Sequence, residues 1–205
     1  MNILAIGAHP DDIELGCLGA LIKHLSEGHR VAVLMLSDGE GGNAPYNVRR
    51  SEARSLGLTV PYNKIHHGNI HANDLNNVKQ ETIDYIELIV KEEKPDLVYC
   101  HSEHDRHQHH KTVAACSAIA TRFVDQVFSF ELPSTLNGFH PNCFVDVFDQ
   151  IKQKIELMKI FHSQKEKPYM QEEAIRSRAF DWAVKANMFP KSKAVEAFYV
   201  ERMVK

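Results

Sequence analysis

The amino-acid sequence predicts an α/β chain arranged as three layers around a mostly parallel sheet. Three observations carry that expectation. Short apolar runs of strand length, such as Ile3-Leu4-Ala5-Ile6 and Val31-Ala32-Val33-Leu34-Met35-Leu36, are nearly continuous, as in strands buried on both faces. Between such runs lie segments whose apolar residues recur at three and four, the period of an amphipathic helix. The two kinds of segment alternate along the chain, which favours strands joined by helical crossovers.

Taken in order, residues 1–7 read as a buried strand. Residues 12–27 read as a helix with Leu15, Leu18, Leu21, Ile22 and Leu25 on its apolar face and Gly28 closing it. Residues 30–37 form a second strand, and the polar, glycine-rich residues 38–47 a loop at the same sheet edge as the first turn. A short helix (48–56), a short strand (64–67) and a longer helix (75–93, ended by Pro95) follow. Residues 96–100 are another strand, whose end runs into a histidine-rich tract. Beyond it come a helix (108–123), two strands (126–131 and 142–147), a helix (148–161), a loop (162–168), a helix (172–187) and a last strand (194–203). The late strands are expected as antiparallel additions to an otherwise Rossmann-like sheet. No repeat or linker interrupts the pattern, so residues 1–205 are expected to be a single domain.

The chain has 205 residues, is 43% hydrophobic and 25% charged, and carries a formal charge of −3. That balance provides no field to attract nucleic acid or acidic membranes. No basic and apolar leader precedes the first strand, and no apolar run approaches the roughly 18 residues of a membrane span. A cytoplasmic location with reduced, unpaired Cys17, Cys100, Cys116 and Cys143 is therefore expected. The oligomeric state, a homo-oligomer included, stays open. Histidine is the unusual residue: 13 in all, with His101, His104, His107, His109 and His110 inside ten positions. Such a tract points to metal binding or acid–base chemistry.

The turn Ala8-His9-Pro10-Asp11-Asp12-Ile13-Glu14 joins the first strand to the first helix, where open α/β sheets place ligands. It lacks the glycines of a dinucleotide or phosphate loop, so a nucleotide-binding module is disfavoured. Asp11 as a simple N-cap, with Glu14 completing a capping box, is the plainest reading. It leaves His9 unexplained. One imidazole and two carboxylates here read as half of a metal site with a general base beside it. His107 and His110, three apart at the start of a helix, are the other half, one able to bind metal while the other faces substrate.

These stretches carry a resemblance. A-H-P-D-D-x-E-x-G-C at residues 8–17, followed by D-x-H-x-x-H at residues 105–110, resembles the PIG-L-type (LmbE-like) metal-dependent N-deacetylases. Asp38-Gly39-Glu40, Arg49-x-x-Glu52, His162-Ser163-Gln164 and Glu196-Ala197-Phe198 resemble further family motifs. The resemblance implies a Zn²⁺ (or Fe²⁺) held by His9, Asp12 and His110, with Asp11 as general base. It implies that His107 polarises the carbonyl or protonates the leaving amine, and that Glu40, Arg49 and His162 contact substrate. The implied activity is removal of an N-acetyl group from a small amino-sugar derivative; the alternatives are a non-sugar amide, or metal binding without catalysis. Two positions depart from the family: His109 replaces an aspartate, and Leu18 a glycine. Loss of that aspartate should lower the pKa of His107 or free its ring, unless Asp105 substitutes. His66, His67 and His71 read as surface residues, His140 as a candidate for the cleft rim, and Trp182 as core. Loops 38–47, 68–75 and 132–142 are expected to wall the cleft.

Overall fold

The computed structural model describes residues 1–39 and 48–204. Its strands are β1 (Asn2–Gly7), β2 (Arg30–Ser37), β3 (Lys64–Ile70), β4 (Leu97–His101), β5 (Gln126–Phe130), β6 (Cys143–Asp146) and β7 (Val195–Met203). Its helices are α1 (Asp12–Ser26), α2 (Val48–Thr59), α3 (Lys79–Glu93), α4 (Gln108–Ala120), α5 (Ile151–Met158) and α6 (Glu172–Lys185). One sheet runs in the order β3-β2-β1-β4-β5-β7-β6. The first five of these strands are parallel, while β7 is antiparallel to both β5 and β6. The expected architecture, including antiparallel late strands, is what forms.

Alternation along each parallel strand divides the core into two layers. Ile3, Ala5, Val31, Val33 and Tyr99 point toward α1, α2, α5 and α6. Leu4, Ile6, Ala32, Leu34 and Val98 point toward α3 and α4. Burial on both faces explains why these strands read as unbroken apolar runs.

Several boundaries differ from expectation. The strand expected at 64–67 continues to Ile70. The helix expected from residue 75 begins at Lys79, because Asn73, Asp74, Asn76 and Asn77 favour turns, and a 3-10 turn (Ala72–Asp74) stands in front of it. The helix expected over 148–161 is confined to Ile151–Met158, its end tightening as Ile160 and Phe161 donate to carbonyls three residues back.

The Glu196 carboxylate on β7 holds α1 against the sheet. It accepts the backbone N–H of Gly19 (2.9 Å) and of Ala20 (2.7 Å), and pairs with the buried Lys154 ammonium at 2.7 Å. Lys154 also donates to the Leu15 carbonyl at 2.8 Å. Gly16 is required by proximity, since a Cβ there would stand 2.4 Å from the Phe130 ring. This clamp sets where the N-terminal turn of α1 sits relative to the strand ends.

Candidate metal centre and active site

The turn between β1 and α1 is tied to both neighbouring strands. The Ala8 carbonyl accepts the Ser37 backbone N–H (2.9 Å) and hydroxyl (2.7 Å) at the end of β2. The Ala8 N–H donates to His101 Nε2 (2.9 Å) at the end of β4. Asp11 occupies the N-cap position with φ +97°, a left-handed conformation that aspartate tolerates at some cost. Its side chain makes no capping hydrogen bond. The simple N-cap reading is thereby corrected. The Asp11 carboxylate lies against the Arg49 guanidinium, which also donates to the Pro10 carbonyl at 2.7 Å.

The histidine tract arrives from the end of β4. His107 N-caps α4, its Nδ1 accepting the His109 N–H at 3.2 Å. Asp105 organises the segment: one oxygen accepts the His107 backbone N–H (2.7 Å), and the other accepts His110 Nδ1–H (3.0 Å) and the Ser134 hydroxyl (2.9 Å). Asp105 therefore orients the ring of His110 and only the backbone of His107. The expectation that it takes over from the family's aspartate at the His107 ring is not met.

His9, Asp12 and His110 converge. His9 Nδ1 stands 3.1 Å from one Asp12 oxygen, and His110 Nε2 stands 3.3 Å from the other. All three are buried, with donor atoms mutually within 4.8 Å. Because Asp105 takes the Nδ1–H of His110, Nε2 is the ring atom left facing Asp12, the arrangement that orients histidine ligands in metal sites. Two imidazoles and a carboxylate beside an open cavity fit a catalytic Zn²⁺, and Fe²⁺ equally.

The electrostatics follow from crowding. Burial pushes the Asp12 carboxyl up, but the neighbouring His110 and His9 outweigh it and hold it well below the usual range. Burial disfavours the His110 imidazolium, yet Asp12 and Asp105 raise it to about 10. Asp11 is raised by burial, with Arg49 opposing. His107 falls to about 4 through desolvation and the neighbouring His110, His9 and His109.

These groups open on a cavity of about 310 Å³. His9, Asp11, Asp12, Arg49, His107 and His110 all line it, so six of the eight residues singled out from the sequence meet there. Glu40 lies outside the described residues. His162 is exposed on a 3-10 turn (His162–Gln164) and does not line the cavity. The buried member of that turn is Gln164, and the half-buried Ser163 beside it holds the Glu52 carboxylate on α2 with its N–H (2.8 Å) and hydroxyl (2.6 Å). Ala72, Asn73, Leu132, Pro133 and Ser134 line the cavity as expected of loops 68–75 and 132–142. His140 is exposed and not among the lining residues. His66 is buried against Glu93 at 2.7 Å, a correction to its reading as a surface residue.

Four contributors were given no role in the site by the sequence alone. His101, the last residue of β4, is buried under the cluster with Nε2 3.3 Å from Asp12. Arg106 lines the cavity from within the histidine tract, where the flanking D-x-H-x-x-H spacing was its only signal. Lys167 and Tyr169 reach it from a 3-10 turn (Pro168–Met170) with no local pattern to mark it.

The fold and site together define an α/β protein with a two-histidine, one-aspartate cluster at the carboxyl ends of its parallel strands. The sequence profile of PIG-L, described as GlcNAc-PI de-N-acetylase, matches residues 4–121, and the chain belongs to this deacetylase family. An Escherichia coli K12 protein described as uncharacterized deacetylase YaiS is 32% identical over 171 residues, 81% of this chain and 90% of that one. The N,N'-diacetylchitobiose deacetylase of Pyrococcus horikoshii superposes with a TM-score of 0.80 at 19% identity, covering 97% of this chain and 82% of that one. GalB of Pseudomonas putida KT2440, a 4-carboxy-2-hydroxymuconate hydratase, superposes with a TM-score of 0.81 at 17% identity, covering 100% and 99%. A hydratase on the same fold means that function must be argued from the site. Among the described residues no helix is long and apolar enough to cross a membrane.

Proposed function

We propose that this chain is a metal-dependent hydrolase that removes the N-acetyl group from a small amino-sugar derivative. The observation that carries the reading is the Asp11 carboxylate. It sits at a helix N-cap without capping, in a left-handed backbone conformation, and lines the cavity next to the His9–Asp12–His110 cluster. A divalent ion held by those three residues, Zn²⁺ or Fe²⁺, would polarise the amide carbonyl and acidify a water.

The chain's own groups supply the rest. Asp11 takes the proton of the attacking water; burial raises its proton affinity, and Arg49 opposes that rise. His107 accepts the His109 N–H at Nδ1, so its neutral ring carries the proton on Nε2 and donates to the oxyanion that forms at the carbonyl. Asp11 then returns its proton to the nitrogen as the C–N bond breaks, releasing acetate and a free amine. Arg106 and Lys167 line the cavity, Lys167 within electrostatic reach of Asp11, and this positive charge favours a substrate bearing an anionic group.

The test is acetate release from neutral and anionic N-acetylglucosamine derivatives, using metal-stripped protein resupplied with Zn²⁺ and Asp11→Ala alongside. Metal-dependent release that vanishes in the variant, and a lower KM for the anionic members that rises in Arg106→Ala, is the expected result. No release from any sugar by metal-loaded protein overturns the amino-sugar assignment.

A further inference from the structure

At the opposite end of the sheet, where β2 begins, three side chains from the close of α1 meet. His24 Nδ1 and His29 Nδ1 face each other at 3.1 Å. One Glu27 oxygen stands 4.0 Å from the first and 3.9 Å from the second. We infer that His24, Glu27 and His29 form a second divalent-metal site, suited to Zn²⁺, that is separate from the candidate catalytic centre and serves stability.

Three arguments support it. The first is geometric. Two nitrogens and one oxygen at these separations approximate one face of a tetrahedron whose bonds are about 2.0–2.2 Å, edges of about 3.3–3.6 Å, so small side-chain adjustments complete it. The second is chemical. Two facing Nδ1 atoms can share at most one proton between neutral rings, and a cation satisfies both lone pairs. His24 Nε2 lies 3.0 Å from the buried Tyr99 hydroxyl, a partner that fixes the ring as outer contacts fix metal-binding histidines. The third is preorganisation. The Gly28 N–H donates to the Leu25 carbonyl (3.1 Å) and the His29 N–H to the His24 carbonyl (3.0 Å), with Gly28 at φ +80°. This closure brings His29 back over His24 without help from a metal, and the helix C-terminus favours a cation.

The opposing charges are the amino terminus and Lys23, both of which disfavour a further positive charge at His24. The Lys23 ammonium is drawn off to the Asp146 carbonyl at 3.0 Å. The side chains of Glu27 and His29 are 46% and 24% exposed, so an ion can enter and water can fill the remaining position.

Untagged full-length protein, stripped with chelator and dialysed against Zn²⁺, is the material for the test. Wild type should bind two ions, His29→Gln one, Asp12→Asn one, and the double variant none. In Asp12→Asn, added Zn²⁺ should raise Tm by several degrees, a shift lost when His29→Gln is added. His29→Gln, at a partly exposed position clear of the cavity, should keep its fold by circular dichroism and keep any amide-hydrolase activity at saturating Zn²⁺. Equal stoichiometry in wild type and His29→Gln, or no ion on Asp12→Asn, overturns the second site and leaves the proposed catalytic centre intact. Loss of activity alone in Asp12→Asn bears on that centre and not on this site.

Discussion

His109 Nδ1 lies 2.9 Å from His9 Nε2. The contact engages the outer nitrogen of His9 and leaves its Nδ1 facing Asp12 at 3.1 Å. The residue that departs from the family pattern thus acts on the first candidate ligand. The contact with His109 ties down the outer ring nitrogen of His9 and fixes Nδ1 as the atom turned toward the cluster.

An aspartate at this position would add a negative charge beside His9 and His107. In His109→Asp the His107 pKa should rise from its depressed position, because a new carboxylate favours imidazolium and a repelling imidazole is removed. The pH profile of kcat/KM should move accordingly. Profiles of wild type and variant that superimpose would remove His109 from the account. His109→Ala should weaken metal affinity about 10-fold to 100-fold through loss of the His9 contact.

Asp11→Asn keeps the shape of the side chain and removes its basicity. Catalysis should fall by about 10²-fold to 10⁴-fold, with metal stoichiometry unchanged. Co-purification of the variant without metal would instead make Asp11 a ligand.

Arg49 acts on the same carboxylate. It opposes the upward push of burial on Asp11, so Arg49→Gln should raise the Asp11 pKa further. The acid limb of the activity profile should then move to higher pH, and the loss should be greater at pH 6 than at pH 8. A loss that is uniform across pH would mean that Arg49 acts through the Pro10 carbonyl and turn geometry alone.

Glu14 is fully buried, one oxygen lacks a partner among the described residues, and burial raises its pKa from 4.5 to about 7. Between those values the folded state holds the proton and the unfolded chain does not, so stability falls as pH rises through this window. The cost above pH 7 is on the order of 3 kcal/mol. Glu14→Gln, measured by urea denaturation of metal-stripped protein, should match wild type at pH 4.5 and exceed it by a substantial part of that amount at pH 8.5. Equal differences at both pH values would rule out ionisation as the cause.

The parallel strands were legible because burial on both faces leaves unbroken apolar runs, as at Ile3 to Ile6 and Val31 to Leu36. The helix boundaries near residues 75 and 148 were not, because turn-forming asparagines and tightened i→i+3 bonding compete with helical periodicity over one turn. His9, Asp11, Asp12, His107 and His110 could be singled out because they lie in two short segments, each at the end of one strand.

The sequence by itself determined the alternation of strand and helix, the dense histidine tract, and the acidic turn that together mark the fold and one corner of the cavity. Those features are local, set by periodicity and by neighbours a few residues apart. Only the tertiary structure decided that Asp11 faces Arg49, that Asp105 serves His110, and that Lys167 joins the cavity while His162 turns away. Each of these depends on packing between segments far apart in the chain. The direction of a side chain is fixed there by the other groups competing for the same buried space and hydrogen bonds.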